Sequence, residues 1–188
     1  MIENATPTVN TNADIEWLRQ LGYGLRYSRS STRKWQLCLL DGPNMSNLGV
    51  GGRDPRNFGT ISSLGALHAS MTAFVEGIGA SLETYQSNHE GAIVGRIYEV
   101  AADTDAFIFN PAGLSKYGVP CVQALVDSGR PYVEVHFANT AALGWTGGTA
   151  PIRHAAASVM GLRNHGYVAA LYGLINALDD GIFNETVS

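Results

Sequence analysis

From Trp35 onward the chain alternates short apolar runs with longer amphipathic stretches. WQLCLL at 35–40 is continuously apolar apart from its glutamine and ends in the turn signal DGPN. Similar runs follow at 80–85 (ASLETY), 106–111 (AFIFNP) and 132–137 (YVEVHF), with a weaker one at 157–162 (ASVMGL). The stretches between them, 62–78, 91–102 and 118–128, carry apolar residues at helical spacing, and a last helix is expected at 165–179. Short buried runs bounded by turn residues read as strands, and the longer periodic stretches read as helices. Strands that alternate with helices demand a parallel sheet covered on both sides. The pattern predicts an α/β protein: a flavodoxin-like, doubly wound, five-stranded parallel sheet with helices on both faces.

The segment before this pattern differs. Residues 1–12 are polar and rich in Thr and Asn, which marks a segment without a core of its own. Residues 13–28 form a candidate short helix on Ile15, Leu18 and Leu21, weakened by Gly22 and Gly24. SRSSTRK then reads as a linker. The expected organisation is an N-terminal extension at 1–33 and a single domain at 34–188.

Composition narrows the function. The chain has 188 residues, 45% of them hydrophobic, enough for one domain with a sizeable core. Its net charge is −4 with no run of Lys or Arg, which argues against nucleic acid or an anionic membrane as partner. A small ligand needs only a few placed cations and stays open. Cys38 and Cys121 show no metal-ligand spacing and read as buried thiols of a reducing compartment. The first residues lack the basic and apolar regions of a signal peptide, and no apolar run approaches a membrane span. The expectation is a cytoplasmic protein.

In doubly wound sheets, ligands bind beyond the carboxyl ends of the strands. Four polar segments fall there: Asp41–Asn44, Gln86–Glu90, Asn110–Gly113 and Glu134–Asn139. Glu134 and His136 lie two apart on a strand and so share a face. A carboxylate there fixes the imidazole tautomer, an arrangement suited to a general acid; the plainer reading is a solvated pair at a strand end. Asn44 and Asn110 can hold a substrate oxygen or make turns, the commoner use of Asx after a strand. His89 is a candidate base or a loop tie. The amides of Phe137 and Ala138 can bind a carboxylate. No segment has the spacing of a metal site or a phosphate loop.

Taken in order, DGPNMSNLG, RDPRNFGT, QSNHEG, NPAGLSKYG and VEVHFAN resemble the type II 3-dehydroquinate dehydratases over roughly residues 35–180. The resemblance implies a trimer-based homo-oligomer, often a dodecamer, and a cofactor-free anti elimination of water from a cyclic ketone through an enolate. It implies Asn44 at the enolate, His136 as general acid with Glu134 as its orienter, and Arg53 as the lid arginine. It gives Asn110 and the amides of Phe137 and Ala138 to the substrate.

The departures from the family's pattern lie in the same site. Phe58 stands where the family has its proton-abstracting tyrosine, and phenylalanine has no titratable group. Lys116 stands for a substrate-binding histidine, and Asp41 for the opening asparagine of the first loop. After Asn139 the sequence TAALGWTGGTAP carries no arginine before Arg153. Two functions follow as expectations. One is a lyase of this family, acting on 3-dehydroquinate or on another cyclic ketone by elimination, isomerisation or hydrolytic ring opening. In it Tyr27, Tyr117 or a lid arginine replaces the tyrosine, or Asp41, His136 or Lys116 takes over the acid–base work, and Phe58 with Trp145 admits a less polar ring. The other is a paralogue that binds a ligand without turnover.

Overall fold

The computed structural model describes residues 29–50, 55–59, 61–142 and 154–184, and the description that follows concerns the compact unit Ser31–Ser188. The candidate helix at 13–28 lies outside the described residues, as do Tyr27, Arg53, Trp145 and Arg153.

Five strands form one sheet: β1 (Gln36–Asp41), β2 (Ser81–Gln86), β3 (Ala106–Asn110), β4 (Tyr132–His136) and β5 (Ala157–Met160). Their order is β2-β1-β3-β4-β5, and every neighbouring pair is parallel. The chain leaves β1 to one side for β2 and returns to the other side for β3, so the switch point lies between β1 and β3. The helices are α1 (Pro55–Phe58), α2 (Leu64–Gly77), α3 (Glu90–Val100), α4 (Val119–Asp127) and α5 (His165–Asp179). The four-residue α1 and two 3-10 turns, Met45–Asn47 and Ala112–Leu114, go beyond the elements the sequence pattern predicts. β5 ends at Met160, two residues earlier than expected.

The doubly wound arrangement follows from the period of two along each strand. Leu37, Leu39, Ala106, Ile108, Val133 and Val135 turn to one face, where Leu67, Met71 and Val75 of α2 and Leu171, Leu174 and Ile175 of α5 cover them. Cys38, Leu40, Phe107, Phe109 and Tyr132 turn to the other, under Ile93 and Ile97 of α3 and Cys121 and Leu125 of α4. Both cysteines are buried free thiols, as their apolar surroundings in the sequence suggest. Each fully buried Leu or Ile in these layers contributes about 1.5–3 kcal/mol.

Candidate active site

The same alternation places the polar residues at the strand ends. Asp41 continues the series Leu37–Leu39 and Asn110 continues Ala106–Ile108, which puts both on the α2/α5 side. There they meet Tyr167 of α5, whose hydroxyl donates to Asp41 Oδ1 at 2.7 Å and accepts from Asn110 Nδ2 at 2.6 Å. Glu134 and His136 continue the Tyr132 series on the opposite side. The site therefore straddles the carboxyl edge of the sheet, over β1, β3 and β4.

The backbone of β1 and β3 closes tightly here. Gly42 donates its N–H to the Asn110 carbonyl at 2.8 Å. A Cβ on Gly42 would collide with the Pro111 carbonyl, so the loop needs glycine at this position. Asn44 follows in the left-handed region, with φ of 73°, a conformation that asparagine adopts more readily than most residues. Its N–H donates to Asn88 Oδ1 at 2.9 Å, and Gln86 Nε2 donates to the same oxygen at 3.1 Å. The QSNHEG segment thus holds the Asn44 loop in place.

A cavity of about 240 Å³ opens at this edge. Asn44, Asn110, Ser115, His136 and Ala138 contribute to its wall, together with Met45, Phe58 and Phe137. His136 Nε2 lies 2.6 Å from Glu134 Oε1, and the pair is buried: Glu134 is 0% and His136 5% exposed. The solvated strand-end pair that the sequence left open is excluded by this burial. With Nε2–H directed at the carboxylate, Nδ1 is the ring atom left for a ligand. In neutral histidine it carries a lone pair; in the cation it is a donor. Among the described residues that line the cavity, His136 is the one titratable side chain.

Phe58 reaches the cavity from α1, half-buried, and meets the Phe137 ring in a tilted contact. Phe137 in turn packs edge-on against Tyr167, with ring centroids 5.3 Å apart. The α1 segment is tied down by Arg163, whose Nε donates to the Arg56 carbonyl at 3.2 Å.

Other expected site residues lie elsewhere. Asp41 is 0% exposed and lies below the cavity wall, bonded to Tyr167 and to His68 Nε2 at 2.8 Å. His89 is exposed and begins α3, its N–H donating to Ser87 Oγ at 2.9 Å, the loop-tying role. Lys116 is exposed and does not line the cavity, and neither does Tyr117. Asn110 makes the Asx turn expected after a strand, Oδ1 accepting from Ala112 N–H at 3.0 Å, and lines the cavity as well.

Sequence reading passed over Tyr167, His68 and Arg163, and gave Asn88 no role beyond its place in the polar segment after β2. Only Tyr167 leaves a signal: a tyrosine in the apolar stripe of a helix must find a partner for its hydroxyl once buried. Burial, then the Asp41 carboxylate, push that phenol well above its ordinary range, so it remains a donor.

Comparison with known proteins agrees with this fold. The catabolic 3-dehydroquinase 1 of Neosartorya fischeri is 35% identical over 142 residues, 72% of this chain and 89% of the relative. The catabolic 3-dehydroquinase of Aspergillus oryzae is 37% identical over the same share of this chain and 87% of its own. The crystal structure of the type II dehydroquinase from Propionibacterium acnes superposes with a TM-score of 0.67 at 31% identity, covering 79% of this chain and 99% of that one. Residues 35–175 match the family Dehydroquinase class II, and with these relatives the match establishes that the chain belongs to the class II dehydroquinases, a family of hydro-lyases.

Proposed function

We propose that the protein is a lyase that removes water from 3-dehydroquinate, or from a closely related cyclic β-hydroxy ketone, by acid–base chemistry through an enolate. The observation that carries this reading is the buried Glu134–His136 pair, 2.6 Å apart at the wall of a cavity at the sheet's carboxyl edge. In this reading Nδ1 of protonated His136 gives its proton to the departing hydroxyl while Glu134 holds the ring and balances its charge. Asn44 serves the enolate oxygen, Asn110 a ring hydroxyl, and the amides of Phe137 and Ala138 the carboxylate. Arg53 is assigned to the lid, and Arg53 or Tyr27 takes the α proton in place of the family's tyrosine, so that the proton lost from carbon and the hydroxyl protonated by His136 leave as the elements of water. His89, Lys116 and Asp41 act around the site rather than on the reacting atoms.

A second reading rests on Phe58. An apolar ring in the cavity wall cannot take the α proton, and it favours a less polar ring, which another group would enolise, isomerise or open. One assay separates the two. Purified protein is mixed with 3-dehydroquinate and the ultraviolet absorbance of the conjugated enone is followed, with Phe58→Tyr alongside. Turnover by the unaltered chain supports the first reading. Turnover by Phe58→Tyr alone supports the second, and a folded protein inactive in both forms points to ligand binding without turnover.

Family membership also supports a trimer-based homo-oligomer, extending to a dodecamer, in the cytoplasm, with residues 1–33 as an appended segment. Sedimentation of the full chain tests the assembly; a monomer at micromolar concentration would refute it.

A further inference from the structure

We propose that Ser158 is a positioning residue for His136, its hydroxyl donating to the Glu134 carboxylate as the imidazole gives up its proton. The inference rests on the reading of His136 as the acid of this cavity. β4 and β5 run parallel, with Glu134 paired to Ser158 and His136 to Met160. Paired residues on neighbouring strands lie about 4.8 Å apart and turn to the same face. The face is fixed independently by the next pair, Val135 and Val159, which pack into the α2/α5 layer. Glu134 and Ser158 therefore point together to the opposite side. Ser158 Oγ is buried and has no hydrogen-bond partner among the described residues. Its neighbours two positions away on that face, Ala156 and Met160, carry no side-chain oxygen. A buried hydroxyl left without an acceptor is costly, unless another state of the protein uses it. Glu134 Oε1 faces His136, Oε2 is buried as well, and a carboxylate oxygen accepts more than one bond. A turn about one side-chain bond aims Oγ at that carboxylate.

The reaction supplies such a state. While His136 is protonated, its charge balances that of Glu134, which is 0% exposed. Once Nδ1 has passed its proton to the departing hydroxyl, the neutral ring still donates Nε2–H to Oε1. The carboxylate's charge then stands alone in a buried place, and a second donor stabilises it. The Ser158 hydroxyl keeps its own proton throughout and lends only its dipole. Its bond favours the state after the transfer and so eases the transfer itself. Ser158 does not line the cavity, so it acts through Glu134 and touches no ligand.

The test uses the full chain and two variants, with circular dichroism to confirm the fold of each. Ser158→Ala removes the hydroxyl; Ser158→Thr keeps it on a residue suited to a strand. With 3-dehydroquinate in the enone assay, Ser158→Ala is expected to lower kcat about tenfold at unchanged KM, the worth of one hydrogen bond to a charged group. Ser158→Thr should retain the unaltered rate. A rise in KM at unchanged kcat, or equal losses in the two variants, overturns the proposal. The contact is also read without substrate. In mildly alkaline solution, with the ring neutral, the His136 N–H that faces Glu134 gives a low-field proton signal, identified by its absence in His136→Ala. It should move downfield in Ser158→Ala, because the carboxylate then rests on the histidine bond alone, and keep its place in Ser158→Thr. An unmoved signal in Ser158→Ala overturns the proposal whatever the activity. A moved signal in a chain that does not convert 3-dehydroquinate upholds the bond to Glu134 and overturns instead the reading of this site as a 3-dehydroquinate lyase.

Discussion

The Phe58 ring lies 6.2 Å from the Phe137 ring, centroid to centroid, tilted by 37°. This contact turns the strand end that carries His136 into an apolar wall. Phe58 also packs against the larger apolar layer, so its ring serves both cavity and core. Phe58→Ala should lower stability by about 1–2 kcal/mol, less than the roughly 3–5 kcal/mol of a fully buried ring, because Phe58 is only half-buried. Urea denaturation measures it. A loss below a few tenths of a kcal/mol would mean that the ring does not rest on the core.

His136→Ala should reduce kcat/KM by about 10²–10⁴-fold while the circular dichroism spectrum stays unchanged. Glu134→Gln retains a hydrogen-bond partner for Nε2 but no charge, and should lose about tenfold or more. Equal rates for Glu134→Gln and the unaltered enzyme would leave the carboxylate only an orienting role.

Gly42→Ala should cost about 1–3 kcal/mol and depress activity as well, because the added Cβ meets the backbone carbonyl of Pro111, which cannot rotate aside. Thermal melting and the enone assay check the two effects. An unperturbed melting temperature would show that the Gly42 backbone does not press against Pro111 at this edge.

Burial pushes the thiols of Cys38 and Cys121 from an ordinary 9.0 up to about 12. Tyr132 rises from 10.0 to about 12, first through burial and then through the charge of Glu134. The folded chain keeps these protons at pH values where the unfolded chain has lost them. Their contribution to stability is thus fully present below about pH 9 and is lost as the pH rises toward 12. The urea midpoint should be insensitive to these groups at neutral pH and fall above about pH 9. An alkylating reagent at about pH 8 should leave both thiols intact until the chain is unfolded, and rapid labelling of native protein would contradict their burial.

The strands were legible because each apolar run is short, continuous and closed by a turn residue, and β1, β3 and β4 stand within a residue of their expected places. β5 ended early because Gly161 enters the left-handed region, with φ of 87°. The short α1 was hidden by RDPRNFGT, which has no apolar period. The Glu134–His136 pair could be read from a spacing of two. Its burial could not, since that depends on how the loops after β1 and β3 fold over it. Asp41, Tyr167 and His68 are far apart in sequence, the first two separated by 126 positions, and no local pattern announces that they meet.

The tight closure of Gly42 onto β3 divides the cavity into two kinds of surface. Its floor is made of strand ends whose bonds also hold the sheet together, so a change there is felt as instability before it is felt as new chemistry. Its rim, among the described residues, hangs from loops: Phe58 on α1, Ser115 after the Ala112–Leu114 turn, and Ala138 and Thr140 after β4. Phe58, the departure that bears most on chemistry, falls on the rim. A scaffold so partitioned can exchange its substrate without renegotiating its fold, and a search for new activities in this protein is best confined to the loops.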